Sequence, residues 1–240
     1  MKKKCSILFL FILVSCDTYT QEGIVWDYPI KPGTEEWKNL ENRKAKVDAC
    51  QVPEYVLQNI NTSDLTKICL DYPLLYDVFA FENINTGLNI LFADFNGIRE
   101  FAKRKGAINC LKEKYFAELM TFQNILNTGT LLDRGYSILL TSILEVLLSY
   151  KDFHFSSSKE EQKEVLETLF VGYKEKFQYS EYFKGTGFTT NLFARAHLII
   201  KIEPTLSDIF EGENKMVLFS GMANADLINT IDSLSYLLIK

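Results

Sequence analysis

Apolar side chains recur three and four residues apart along most of this chain, the spacing of helices that bury one face. Over 158–179 Leu166, Phe170, Tyr173 and Phe177 line one face, with Lys159, Glu160, Lys163, Glu164 and Glu167 facing water. Leu227, Ile231, Leu234 and Leu238 repeat the pattern over 225–239, and a long apolar helix is expected near 130–150. Start signals punctuate these stripes. Thr34 offers a capping hydroxyl ahead of Glu35 and Glu36, which suit the positive end of a helix. Pro53 and Pro73 fit the first turns of helices near 53–60 and 73–81, and Thr62-Ser63-Asp64 opens one near 63–71. Ser157 with Glu160 reads as a capping box for 158–179. Asn85-Thr86-Gly87 reads as a break before a helix over 88–104, Gly106 as one before 107–126, and Asn127-Thr128-Gly129 as one before 130–150. A further helix over 188–202 stops at Pro204. Strand candidates are confined to Ile24–Ile30 and Met216–Phe219. The chain therefore reads as all-α, an irregular helical bundle or stacked helical hairpins over a single domain at 34–240, with an extended N-terminal tether.

The N-terminus follows another logic. Met1-Lys2-Lys3-Lys4 precedes an unbroken apolar run from Ile7 to Val14. From Cys5 to Cys16 a helix would reach about 18 Å, against roughly 30 Å of bilayer hydrocarbon, so the segment reads as a secretion signal. Leu13-Val14-Ser15-Cys16 resembles the lipobox of bacterial lipoproteins. That resemblance implies a signal peptide over 1–15, cleavage before Cys16, and lipid (diacylglycerol and an amide-linked acyl chain such as palmitate) on Cys16 as the first mature residue. Residues 16–33 then form a lipidated tether running into a docked segment. Ile24-Val25-Trp26-Asp27-Tyr28-Pro29-Ile30 is too aromatic for a free linker and is expected to lie against the domain. Losing three lysines with the signal takes the formal charge from −5 to −8. The membrane partner is thus engaged through lipid on Cys16 rather than through surface charge.

Trp26–Trp37 (WDYPIKPGTEEW), Pro53–Phe81 and Phe95–Arg104 (FNGIREFAKR) resemble an uncharacterised family of Bacteroidetes lipoproteins. The likeness covers the N-terminal half well and the remainder weakly. It implies an envelope lipoprotein and carries no activity or site residues with it.

Composition narrows the chemistry. The chain has 240 residues, 47% of them hydrophobic, with enough apolar surface for a core of its own. Its acidic balance gives nothing to offset phosphates, so no nucleic-acid partner is expected. After Cys16, the cysteines are Cys50, Cys69 and Cys110. In an oxidising envelope Cys50 and Cys69, 19 residues apart, are candidates for a disulfide worth about 3 kcal/mol; three buried thiols are the other reading. His154 and His197 stand 43 apart with no H-E-x-x-H, and Gly87 and Gly129 lack the oxygens of calcium loops, so no metal or cofactor is expected. Ser220-Gly221 is half of a nucleophile elbow at best, and Gly185-Thr186-Gly187 is no phosphate cradle. His197 reads as a hydrogen-bonded core or boundary histidine. Ser137, Thr141, Glu145 and Ser149 repeat every four residues, a polar stripe expected to face water or a polar groove. Asp94, Asn96, Arg99, Glu100 and Arg104 read as helix-surface ion pairs. Trp26, Tyr28 and Trp37 are either core anchors or an aromatic platform for sugars or a partner. The functional expectation is a non-catalytic, lipid-anchored helical binding or scaffold domain, with an envelope protein or polymer as partner. The alternative is an envelope hydrolase acting on glycan or peptide from dispersed residues.

Overall fold

The computed structural model describes residues 25–155, 157–183, 186–211 and 225–240. The signal segment, Cys16, Gly185, the Met216–Phe219 strand candidate and Ser220-Gly221 lie outside the described residues.

The architecture is all-α. Short helices come first: α1 (Glu35–Lys38), α2 (Arg43–Ala49), α3 (Glu54–Asn59), α4 (Thr62–Leu70), α5 (Ile84–Asp94) and α6 (Asn96–Ala102). Long ones follow: α7 (Ala107–Thr128), α8 (Leu131–Ser149), α9 (Lys159–Phe177), α10 (Thr186–Ile202) and α11 (Ala225–Ile239). Short 3₁₀ helices occupy Leu75–Ala80, Lys151–His154 and Pro204–Phe210. The α7 and α8 helices pack together across a two-residue connection, so they form an antiparallel hairpin. Against α8 also lies α10, which in turn packs on α9 and α11. Every side chain from Leu140 to Tyr150 is buried, which makes α8 the central rod of this bundle.

Side-chain caps fix most starts. Thr34, Asn42, Asn61 and Asn83 each accept a backbone N–H three residues on, at 3.2, 3.0, 2.8 and 2.9 Å. Thr130 pairs reciprocally with Asp133 at the head of α8. At α9 the capping box is Ser158 with Glu161, one residue beyond the expected Ser157 and Glu160, because the run of serines and glutamates offers both registers.

Three expected boundaries move. Asn85-Thr86-Gly87 lies inside the first turn of α5 rather than breaking the chain. Gly87 is needed there for close approach: a Cβ would sit 2.2 Å from the Val78 carbonyl oxygen. The expected helix over 88–104 is two helices, divided at Phe95, whose φ −111° and ψ 115° turn its ring inward to stack 4.0 Å from Tyr72. The 73–81 helix is a 3₁₀ helix over Leu75–Ala80.

The described part of the Ile24–Ile30 candidate forms no strand. It docks through Tyr28, which is buried and donates its hydroxyl to the Ile68 carbonyl at 2.8 Å. The segment is thus held by α4, as its aromatic content requires.

Candidate ligand-binding cleft

Two polar constellations stand out, one sealed and one open. The sealed one centres on Glu145 in α8. Its Oε1 accepts from the Tyr115 hydroxyl (2.7 Å), Lys176 Nζ (2.7 Å) and Asn191 Nδ2 (2.8 Å); its Oε2 accepts from Lys176 Nζ (2.8 Å) and Thr190 Oγ1 (2.6 Å). These donors come from α7, α9 and α10. A second link runs from Asn191 Oδ1 to Arg195 Nε (2.9 Å), and Arg195 reaches Asp232 on α11 at 2.8 Å. Two carboxylates thus balance two cations. Burial pulls the Lys176 ammonium pKa down against the pull of Glu145, and pushes the Tyr115 hydroxyl well up. The side chains of Tyr115, Glu145, Lys176, Thr190 and Asn191 have no solvent exposure. This network ties five helices together, and its Glu145 centre is closed to a ligand.

The polar stripe on α8 therefore departs from expectation. Ser137, Thr141, Glu145 and Ser149 are all buried rather than facing water or a groove. Thr141 and Ser149 satisfy themselves on carbonyls of their own helix, at 2.7 and 3.0 Å, and Glu145 is satisfied by helices distant in sequence.

The open constellation is a cleft of about 740 Å³ between the N-terminal segment, α4, the turn after it and α8. Trp26 and Tyr28 meet edge to face at 4.7 Å on one wall. Tyr76 and Tyr136 meet at 6.2 Å and 76° on another. Tyr136, 49% exposed, offers the cleft the most open of these rings. The hydroxyls of Tyr72 and Tyr76 are buried, and that of Tyr72 makes no hydrogen bond among the described residues.

Three carboxylates line this space in different states. Asp27 accepts the Tyr28 N–H at 2.7 Å and pairs with Lys31, whose hydrogen bond holds it below the usual carboxylate range. Asp64 pairs with Lys67 at 3.0 Å and accepts from Asn61 Nδ2 at 2.7 Å, and is lowered likewise. Asp71 has no hydrogen-bond or ion-pair partner for its carboxylate among the described residues. Partial burial, then the charge of Asp27, pushes it upward.

The other expected residues fall in structural roles. Arg99 donates to the Phe92 and Ala93 carbonyls at 2.8 and 2.7 Å, closing the end of α5, while Arg104 donates to the Leu57 and Ile60 carbonyls at the end of α3. Asn96 brackets Val52, and Asp94 pairs with Arg43. Of that cluster only Glu100–Arg104 is the expected i,i+4 pair; the rest join separate helices. His154 is buried with Nε2 2.6 Å from the Leu148 carbonyl. His197 bridges the Phe193 carbonyl (2.9 Å) and Asn85 (3.1 Å). Trp37 stands apart from Trp26 and Tyr28, under Lys46 and lining a different pocket.

Cys50 and Cys69 are buried free thiols, both near enough to the Tyr28 hydroxyl to raise it after burial has done so. Burial pushes the Cys50 thiol up to about 11, away from thiolate reactivity. Among the described residues no three His, Cys, Asp or Glu side chains gather to hold a metal ion. No described helix is long and apolar enough to cross a membrane.

Sequence reasoning found Trp26 and Tyr28 but missed Tyr72, Tyr76, Tyr136 and Asp71. Those four belong to elements that meet only in the folded chain. No protein-family profile, curated protein or solved structure matches this chain.

Proposed function

We propose that this chain is a lipid-anchored protein of the bacterial envelope that binds a glycan in the Trp26–Tyr136 cleft without turning it over. The cleft carries this reading. Half-open aromatic rings give a flat apolar surface for the C–H faces of a sugar, and the carboxylates and ammoniums around them give acceptors and donors for hydroxyls. Its volume lies within the range of small-molecule sites. Val25 lines the cleft, 97% exposed, and stands nine positions after Cys16. Fully extended, that stretch reaches at most about 30 Å, so an acylated Cys16 keeps the cleft close to the bilayer.

The test is tryptophan fluorescence of the full chain in detergent, with Trp37→Phe so that Trp26 is the only reporter. Chitotriose and maltotriose are the first probes of a neutral oligosaccharide panel. Saturable quenching is expected, lost in Tyr136→Ala by tenfold or more. A flat response to every member of the panel refutes glycan binding. For the anchor, Cys16→Ser should move the protein from the membrane to the soluble fraction; unchanged fractionation refutes it.

One observation favours the second reading, a glycan hydrolase. Asp71 is pushed up and Asp27 down within one cleft, the opposed pair that acid–base cleavage uses. Chromatography of a chitooligosaccharide after incubation decides: shortened products that disappear in Asp71→Asn identify an enzyme.

A further inference from the structure

A second pocket, about 440 Å³, opens between α5, the end of α8 and α10, and shares no residue with the aromatic cleft. Its charge is opposite to that of the chain. Lys151 and Lys201 line it, and no Asp or Glu does. Neither ammonium has a carboxylate partner among the described residues, whereas nearby Lys159 is paired with Glu203. Asp152, next to Lys151 in sequence, lines another pocket with Arg99 and Lys103. In a chain of net charge −5, a pocket lined by cations alone is a local inversion of the field that general acidity would oppose.

The neutral polar groups point the same way. The Tyr150 hydroxyl donates to Asn89 Oδ1 at 2.8 Å, and this fixes the amide so that its NH₂ remains to donate. Asn85 Nδ2 lies 3.1 Å from His197 Nε2, and His197 Nδ1 lies 2.9 Å from the Phe193 carbonyl. A carbonyl can only accept, so Nδ1 carries the proton and Asn85 is also oriented as a donor. Leu88, Phe193 and Ile200 supply an apolar wall beside these donors.

We infer that this pocket binds a small organic anion, its carboxylate or phosphate held by Lys151, Lys201 and the Asn89 amide, its carbon skeleton against Leu88 and Ile200. A sugar without charge leaves both ammoniums unmatched, and a bare inorganic ion leaves the apolar wall uncovered. The pocket does not depend on the glycan reading of the other cleft.

Isothermal titration calorimetry of the full chain in detergent tests it, with glucose 6-phosphate, hexanoate and inorganic phosphate as probes. At least one organic anion should bind saturably and more tightly than inorganic phosphate; which one it is tells phosphate from carboxylate. Asn89→Asp keeps an acceptor for Tyr150 while turning a donor into a carboxylate, so it should weaken binding tenfold or more with an unchanged melting curve. Lys151→Ala combined with Lys201→Ala should abolish binding, and this pair serves if Asn89→Asp does not fold. Absence of binding by all three probes at millimolar concentration overturns the inference. So does affinity unchanged by the lysine pair, or inorganic phosphate binding as tightly as both organic anions.

Discussion

Glu145 and Asp71 are both carboxylates set among aromatic and aliphatic side chains, and the fold treats them in opposite ways. Glu145 has lost all its water and accepts hydrogen bonds from four side chains in exchange. Asp71 has lost part of its water and accepts from no side chain among the described residues, and burial, then the charge of Asp27, disfavours its ionised form. A carboxylate with every lone pair engaged has nothing left to offer a ligand, and its work is to join helices. A carboxylate left short of partners beside open aromatic rings keeps its acceptor capacity for something from outside. In this molecule, burial with partners marks structure, and partial burial without them among the described residues marks the candidate site.

The largest test of that contrast is Glu145→Ala. It removes the carboxylate that the buried Lys176 ammonium meets at 2.7 and 2.8 Å, for a loss of about 3–5 kcal/mol in denaturant unfolding. A loss below about 1 kcal/mol would mean the network is incidental to stability, and the contrast would fail.

Next comes Gly172→Ala on α9. The new Cβ would stand 2.0 Å from the Tyr115 hydroxyl oxygen, which is held in place by Glu145. Tyr115 is fully buried and has no room to retreat. Thermal melts should show a cost of about 1–3 kcal/mol, the range for overpacking a tight core.

The smallest effect belongs to Asp71→Asn, and its sign is opposite. A carboxyl whose folded pKa lies above its unfolded value, roughly 3.9, costs stability as pH rises through that interval, and in full above it. Replacing Asp71 should raise the melting temperature slightly at pH 7 and leave it unchanged near pH 3. A loss at pH 7 would show that Asp71 has a stabilising partner and would move it to the structural side of the comparison.

Much of the helical layout was legible because its signals are local. Thr34, the helix near 107–126 and the stripe at Leu227, Ile231, Leu234 and Leu238 depend on neighbours within a turn or so. The Asn96-Gly97 dipeptide beside Phe95 was a local breaker that the long-helix expectation passed over, and stacking of the Phe95 ring on Tyr72 fixes where α5 ends and α6 begins. Gly87 misled in the other direction. Its missing side chain serves contact with Val78 rather than a turn. Of the candidate site, Trp26 and Tyr28 were visible as aromatic residues too apolar for a linker. Asp71 was one acid among many until the fold set it in the cleft.

Glu145 separates the two kinds of information most clearly. The sequence by itself determined that the chain is helical, where most helices begin, and that a single charge interrupts the long apolar stretch of α8. Only the tertiary structure decided that this charge faces inward. Spacing of four along one helix describes which side chains share a face; it is silent on what that face meets. The partners lie 30 to 46 residues away, and packing of four helices brings their donors to one carboxylate.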